Sequence, residues 1–180
     1  MTQPVIALLR GINVGGRNRL PMVELRSIAA DLGFADAKTY LQSGNLILPD
    51  APLATAEIAA TLTGEIRTAF GLEVPVIIRT AGDWARVIAA NPFPEAAADG
   101  TKLHVMFLPG LATEAVRSFA ADAYRPEELS VADFEIYLSL PNGIGRSKLA
   151  GALGKVDNAA SGTIRNWNTV LALSDLSGDP

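Results

Sequence analysis

The order in which apolar patterns follow one another constrains the fold of this chain more than any other feature. Short apolar runs predict strands, and apolar residues at helical spacing predict helices between them. In the first half the predicted elements are a strand at residues 5–9, a helix at 22–32, strands at 39–41 and 46–48, a helix at 54–70 and a strand at 74–78. This β-α-β-β-α-β order is that of a ferredoxin-like unit.

The same order partly recurs in the second half. After a short helix at residues 83–89, the predicted elements are a strand at 103–108, a helix at 113–123, strands at 129–131 and 134–138, a helix at 146–153 and a last helix at 163–173. The repeat predicts an α+β fold in which two ferredoxin-like halves pack together. We place the first half at residues 1–80 and the second, with its C-terminal helix, at 81–180.

The composition excludes several classes of protein. The chain has no cysteine, which excludes disulfide frameworks, thiolate nucleophiles and cysteine metal sites, and His104 alone cannot form a histidine metal cluster. We therefore expect no metal and no cofactor. No leader pattern and no run of eighteen apolar residues occurs, so we expect a cytoplasmic protein with no membrane partner. The oligomeric state stays open, with a monomer favoured.

Positive charge is concentrated in two glycine-rich windows. The chain has 15 basic and 19 acidic residues, a net charge of −4, which argues against a protein that coats nucleic acid. Yet residues 10–20 and 141–169 together hold seven basic residues and one acidic residue, with eight of the sixteen glycines. Glycine permits close backbone approach and arginine is a forked donor, so these windows predict an anion-binding surface. Solvated loops are the alternative.

The first window is a loop between a predicted strand and the predicted helix after Pro21. It contains Arg10, Asn13 and Arg17, and it has neither the Walker A nor the G-x-G-x-x-G spacing. A loop that enters a helix N-terminus presents free N–H groups and the positive end of the helix dipole. The segment therefore predicts an anion site, with a glycine turn carrying solvated arginines as the alternative.

Three further segments carry polar residues of interest. Residues 42–45 form a predicted turn, for which no function is needed. Residues 142–149 predict a glycine loop entering a helix, a second anion site. Residues 163–169 predict a helix start at which two asparagines and an arginine form a polar face. The side chains singled out are Gln42, Ser43 and Asn45, then Asn142, Arg146, Ser147 and Lys148, and finally Arg165 and Asn166.

Four ordered segments resemble a known family. The segments are LLRGINVGGRNRLPM, TYLQSGN, LPNGIGRSKL and TIRNWNTV. They are similar to segments of the bacterial family of domains of unknown function numbered 1697, and the resemblance spans roughly residues 5–173. It implies an α+β fold with ferredoxin-like halves. It implies no activity and no catalytic residues.

The leading functional hypothesis is the binding of a phosphate-bearing or other anionic ligand, a nucleotide or a short nucleic acid, in one cleft where these loops converge. The candidate ligand-binding residues are Arg10, Asn13, Arg17, Gln42, Ser43, Asn45, Asn142, Arg146, Ser147, Lys148, Arg165 and Asn166. One alternative is a metal-independent enzyme that acts on a phosphoryl or acyl group with Ser43 or Ser147 as nucleophile, although no general base is evident. Another is a module that binds an acidic protein through its basic face.

Overall fold

The first sheet is antiparallel and has four strands. The computed structural model describes residues 3–51 and 54–178. Strands β1 (Gln3–Leu9), β2 (Lys38–Tyr40), β3 (Asn45–Ala51) and β4 (Val76–Thr80) are ordered β2-β3-β1-β4. Helix α1 (Met22–Asp31) follows β1, and helix α2 (Thr55–Phe70) follows β3. The predicted β-α-β-β-α-β unit is confirmed.

The core of this unit explains the apolar patterns of the sequence. Residues 5–9 are all buried, which accounts for their unbroken apolar run. Helix α2 ends at Gly71, whose φ of 65° suits glycine. Alternate residues of β1 pack with the apolar faces of both helices: Val5, Ala7 and Leu9 from the strand, Leu25 and Ala29 from α1, and Ile58, Leu62 and Ile66 from α2.

The second sheet repeats the first. It follows two helices, α3 (Ala81–Ala89) and α4 (Pro94–Ala97). Its strands are β5 (Leu103–Phe107), β6 (Glu128–Val131), β7 (Glu135–Ser139) and β8 (Thr163–Asn166), in the order β6-β7-β5-β8. Helix α5 (Glu114–Arg117) follows β5, helix α6 (Lys148–Leu153) follows β7, and the last helix is α7 (Trp167–Ser177). Both sheets therefore have the ferredoxin-like strand order.

Two compact units divide the chain. One comprises the described residues of Met1–Arg86 and Leu173–Pro180, and the other comprises Val87–Ala172. Both boundaries between the units fall inside helices, one in α3 and one in α7. None of the helices among the described residues has the length and apolar character needed to cross a membrane.

Two predicted helices were wrong in extent or type. The helix predicted at residues 113–123 is only Glu114–Arg117, followed by a 3-10 turn at Ala121–Tyr124. The helix predicted to begin at residue 163 begins at Trp167, because Thr163–Asn166 is strand β8 and pairs with β5. The apolar residues of this segment sit at helical spacing, but pairing with a distant strand decides the conformation of its first four residues.

Candidate functional site

The loop after β1 folds into a small hairpin. Val14 and Arg17 form an isolated antiparallel bridge, and the Arg17 N–H donates to the Val14 oxygen at 3.0 Å. Gly15 and Gly16 have φ values of 58° and 76°. Positive φ at both turn positions is the type I′ geometry, which glycine adopts without steric cost. Glycine at these two positions therefore allows the tight turn. Arg17, which follows the turn directly, is exposed.

Asn13 holds this hairpin in place. Its side-chain amide donates to the Leu20 oxygen at 2.9 Å and to the Gln42 oxygen at 2.8 Å, while its Oδ1 accepts from the Leu20 N–H at 2.9 Å. Both amide hydrogens are therefore used within the protein. These bonds position the loop against the β2–β3 turn, while contact of Asn13 with a ligand stays a prediction.

Asn45 has a similar structural role in that turn. It is fully buried, and its amide donates to the Tyr40 oxygen at 2.8 Å and to Ser43 Oγ at 3.1 Å. The Leu9 N–H donates to the Gly44 oxygen at 2.8 Å, which joins the turn to the end of β1. A residue with no exposed surface cannot touch a ligand directly, so the prediction that Asn45 contacts one was wrong.

A groove of about 620 Å³ lies between the hairpin loop and the turn. Its volume falls within the range of small-molecule sites. It opens beside the start of α1, where Pro21 is the N-cap and no side chain caps the helix. Arg10 and Arg17 are exposed but are not among its lining residues. The groove is lined by Asn13, Gly16, Arg19, Leu20, Pro21 and Gln42.

Two arginines of the hairpin loop, Arg17 and Arg19, take part in none of the ion pairs of the described residues. Both arginines are exposed. Elsewhere in the same unit, Arg67 pairs with Glu73 at 3.7 Å and Arg86 pairs with Asp83. Arg19, which lines the groove at the start of α1, favours an anion there, although Glu24 in the first turn of the helix already brings one negative charge to this end.

In the second unit, the predicted residues gather at one edge of the sheet. Strands β7 and β8 both run antiparallel to β5, so their ends meet at the start of β5. Asn142, Arg146 and Lys148 are exposed in the segment after β7. Asn166 ends β8, and its Oδ1 accepts from the Thr169 N–H at 2.9 Å, which caps α7. Ligand contacts by the three exposed side chains stay predictions.

The start of α6 already holds an anionic group of the protein itself. Ser147 caps the helix, accepting from the Ala150 N–H at 2.9 Å. Glu127, which is buried, accepts from Ser147 Oγ at 3.1 Å and from the Leu149 N–H at 2.8 Å. The carboxylate uses Ser147, one of the three side-chain donors that we predicted for an external anion, together with the Leu149 amide. Arg146 and Lys148, the other two, stay exposed, and their contact with an anion stays a prediction.

Sequence reasoning missed Glu127. It lies outside the basic windows, twenty residues before Ser147, and no local pattern links the two. Glu127 is a carboxylate beside Ser147, a residue type that the enzyme hypothesis lacked. Nevertheless, the hydroxyl of Ser147 and one oxygen of Glu127 are both engaged in holding the first turn of α6. This arrangement is explained by helix capping and gives no support to a nucleophilic role.

Arg165 lies on a strand and not on an exposed helix face. Its side chain donates to Thr163 Oγ1 and to the Ile164 oxygen, each at 2.8 Å. Burial lowers the pKa of Arg165 to about 10, because a charged guanidinium loses hydration there. The prediction that Arg165 lies on a polar helix face was wrong, since pairing of Arg165 with Val105 places it within the sheet.

A family model described as "Protein of unknown function (DUF1697)" matches residues 1–137. The chain belongs to this family. The matched span of the DUF1697 model contains the hairpin loop and the β2–β3 turn, and thus every residue that lines the groove. It ends before Asn142, so the resemblance of the last two segments lies outside it.

A solved structure also matches this DUF1697 chain. It is described as the structure of the conserved bacterial protein SP0830 from Streptococcus pneumoniae, with a TM-score of 0.76 and 21% sequence identity. The match covers 98% of this chain and 99% of that one. At this identity the likeness concerns the fold alone. A comparison with curated proteins found no match.

Proposed function

We propose that this protein binds an anionic ligand in the groove of its first unit, and that phosphate-bearing small molecules are the main ligand class. The observation that carries the proposal is Arg19, an exposed guanidinium in no ion pair, which lines a groove at the start of α1, where no side chain caps the helix. Arginine donors match the oxygens of a phosphate group in a forked geometry. The N-terminal N–H groups of α1 add the favourable end of a helix dipole.

The remaining groove residues support recognition of the rest of such a ligand. The Gln42 side chain is exposed, and only its main-chain oxygen is used by Asn13. A free amide donates and accepts hydrogen bonds, as the polar edge of a base or sugar requires. Because Asn13 fixes the loop to the turn before any ligand arrives, little conformational entropy is lost on binding.

The test is a calorimetric titration of the protein with pyrophosphate and with ATP, each at low and high salt. We expect binding that weakens as salt screens the arginines. Arg19→Gln should weaken it by about tenfold or more, since a charge-assisted contact is lost. Arg67→Gln is the matched control, because Arg67 is an exposed arginine of α2 in the same unit and lies outside the groove lining.

Two results would overturn the proposal. One is the absence of binding of both anions at low salt. The other is equal weakening by Arg19→Gln and Arg67→Gln, which would mean that the anions respond to net charge and not to the groove.

A further inference from the structure

Three exposed large apolar residues lie within two positions, along the chain, of residues that line the groove. Val14, Val23 and Leu41 have relative exposures of 65%, 63% and 55%, and we call them the apolar rim. They are the exposed large apolar residues of the described part of Met1–Arg86. Val14 follows the lining residue Asn13, Leu41 precedes Gln42, and Val23 lies two residues after Pro21. Exposed large apolar residues beside a groove are a feature of interaction sites.

Leu41 is unfavourable for the fold in two ways. Its side chain is exposed, and its φ is 58°, a left-handed conformation that costs a non-glycine residue free energy. Asparagine or glycine would form the same turn at lower cost. Folding therefore does not account for a leucine at this position, and contact with a partner would.

The chemistry of the groove favours a polypeptide over nucleic acid. Recognition of single-stranded nucleic acid relies on aromatic side chains on which bases stack. The groove lining is Asn13, Gly16, Arg19, Leu20, Pro21 and Gln42, with no aromatic residue among them. The arginines require negative charge in the partner, and the apolar rim requires aliphatic side chains.

We propose that the groove and the apolar rim bind an extended segment of a partner protein that carries acidic and aliphatic side chains together. This rests on the anion position of the proposed function and adds a second occupant for it: an acidic side chain of the segment binds at Arg19 in competition with a phosphate group. Neighbouring aliphatic side chains of the segment cover Val14, Val23 and Leu41. The groove accepts the segment without rearrangement, because Asn13 already holds the hairpin against the turn.

The experiment measures fluorescence anisotropy of a labelled peptide of alternating glutamate and leucine. A glutamate–serine peptide tests the need for aliphatic groups, and labelled oligothymidylate tests nucleic acid. Leu41→Asn removes a rim side chain while keeping a residue that tolerates the left-handed turn. Leu111→Asn is the matched control, since Leu111 is 59% exposed in the loop between β5 and α5 of the second unit.

We expect the glutamate–leucine peptide to bind best and pyrophosphate to compete with it. Leu41→Asn should weaken binding of the peptide at least about fivefold, because one covered aliphatic contact is lost. It should not weaken binding of pyrophosphate. Leu111→Asn should leave both unchanged.

The inference is overturned, while the proposed function stands, when pyrophosphate binds but the glutamate–leucine peptide does not. It is also overturned when that peptide binds no better than the glutamate–serine peptide, when Leu41→Asn has no effect on its affinity, or when oligothymidylate binds more tightly. If pyrophosphate, ATP and the peptides all fail to bind, both proposals are overturned.

Discussion

The side-chain amide of Asn13 donates to the main-chain oxygen of Gln42 at 2.8 Å, across twenty-nine residues of sequence. With the two bonds between Asn13 and Leu20, it fixes the walls of the groove relative to each other. Asn13 also has a φ of 54°, a conformation that asparagine tolerates better than most residues. Asn13 thus stabilises the left-handed conformation of its own backbone and also the contact between the hairpin loop and the β2–β3 turn.

Replacing Asn13 should destabilise the first unit and disorder the groove. Asn13→Ala removes three hydrogen bonds and leaves a left-handed alanine, so the free energy of unfolding should fall by about 2–4 kcal/mol. Asn13→Gly removes the same bonds without the left-handed strain, and its loss should be smaller. Denaturant unfolding of both variants checks this, and equal losses would exclude the backbone contribution.

Glycine at position 44 is required for space as well as for conformation. A Cβ there would lie 2.7 Å from Leu9 Cβ and 2.8 Å from Ile12 Cδ1, and the φ of Gly44 is 81°. Gly44→Ala should therefore cost several kcal/mol, about 3 or more, because Leu9 Cβ is fixed to the backbone of β1 and cannot move aside as the end of the Ile12 side chain can.

Gly16→Ala is the matched control, since φ is 76° but nothing lies within 4 Å of the added atom. It should cost only about 1–2 kcal/mol. Thermal unfolding of the two variants tests the difference. If both lower the melting temperature equally, the close approach of Gly44 to β1 is not the cause.

Glu127 should contribute more to stability than an ordinary surface carboxylate. Glu127→Ala leaves the buried Leu149 N–H without its acceptor, a loss of about 2–3 kcal/mol. Ser147→Ala should cost about 1 kcal/mol as a lost N-cap. The loss in the double variant should differ from the sum of the two, because the residues share a bond.

Glu128→Ala provides the comparison for this position. Glu128 is half-buried and pairs with Arg125 at 3.2 Å, so its removal should cost at most about 1 kcal/mol. Urea unfolding of all four variants separates the cases. If Glu127→Ala and Glu128→Ala lower the free energy of unfolding equally, capping of α6 by Glu127 does not contribute to stability.

Elements that are defined by a local sequence pattern were predicted correctly. Elements that depend on pairing with a strand distant in sequence were not. The helix α2 has a clear apolar face and a glycine end, and it was predicted to within one residue at its start. Strand β8 was predicted as helix, because its four residues become a strand only through hydrogen bonds to β5. The antiparallel topology also brings the end of β1 and the start of β3 to one edge, as the predicted element order requires.

The sequence predicted one anion-binding cleft at both basic windows, and this location stays a prediction; the structure defines the roles of some of its residues. Charge and glycine content located the hairpin loop, since both are properties of the sequence itself. Whether an asparagine faces a ligand or a carbonyl depends on the tertiary fold, and Asn13 and Asn45 both bond to main-chain oxygens. The same holds for Arg165, whose burial follows from its position in the sheet.

His104 should make stability depend on pH just below neutrality. It is buried on β5, and its Nδ1 has no hydrogen-bond partner. Burial lowers the pKa of His104 below its ordinary value of 6.5, and this outweighs the opposing effect of a hydrogen bond with the Lys102 backbone. The unfolded chain therefore binds a proton more readily than the folded protein does.

It follows that the free energy of unfolding is highest above about pH 6.5 and falls as pH drops towards the lowered pKa of His104, with a slope of at most about 1.4 kcal/mol per pH unit. His104→Gln should abolish this slope between pH 7 and roughly pH 5, since carboxyl groups ordinarily have pKa values of about 4. Asp83 and Asp99, whose pKa values are lowered, contribute only under more acidic conditions. Urea unfolding at a series of pH values makes the comparison, and a slope that persists in His104→Gln would assign the pH dependence to other groups.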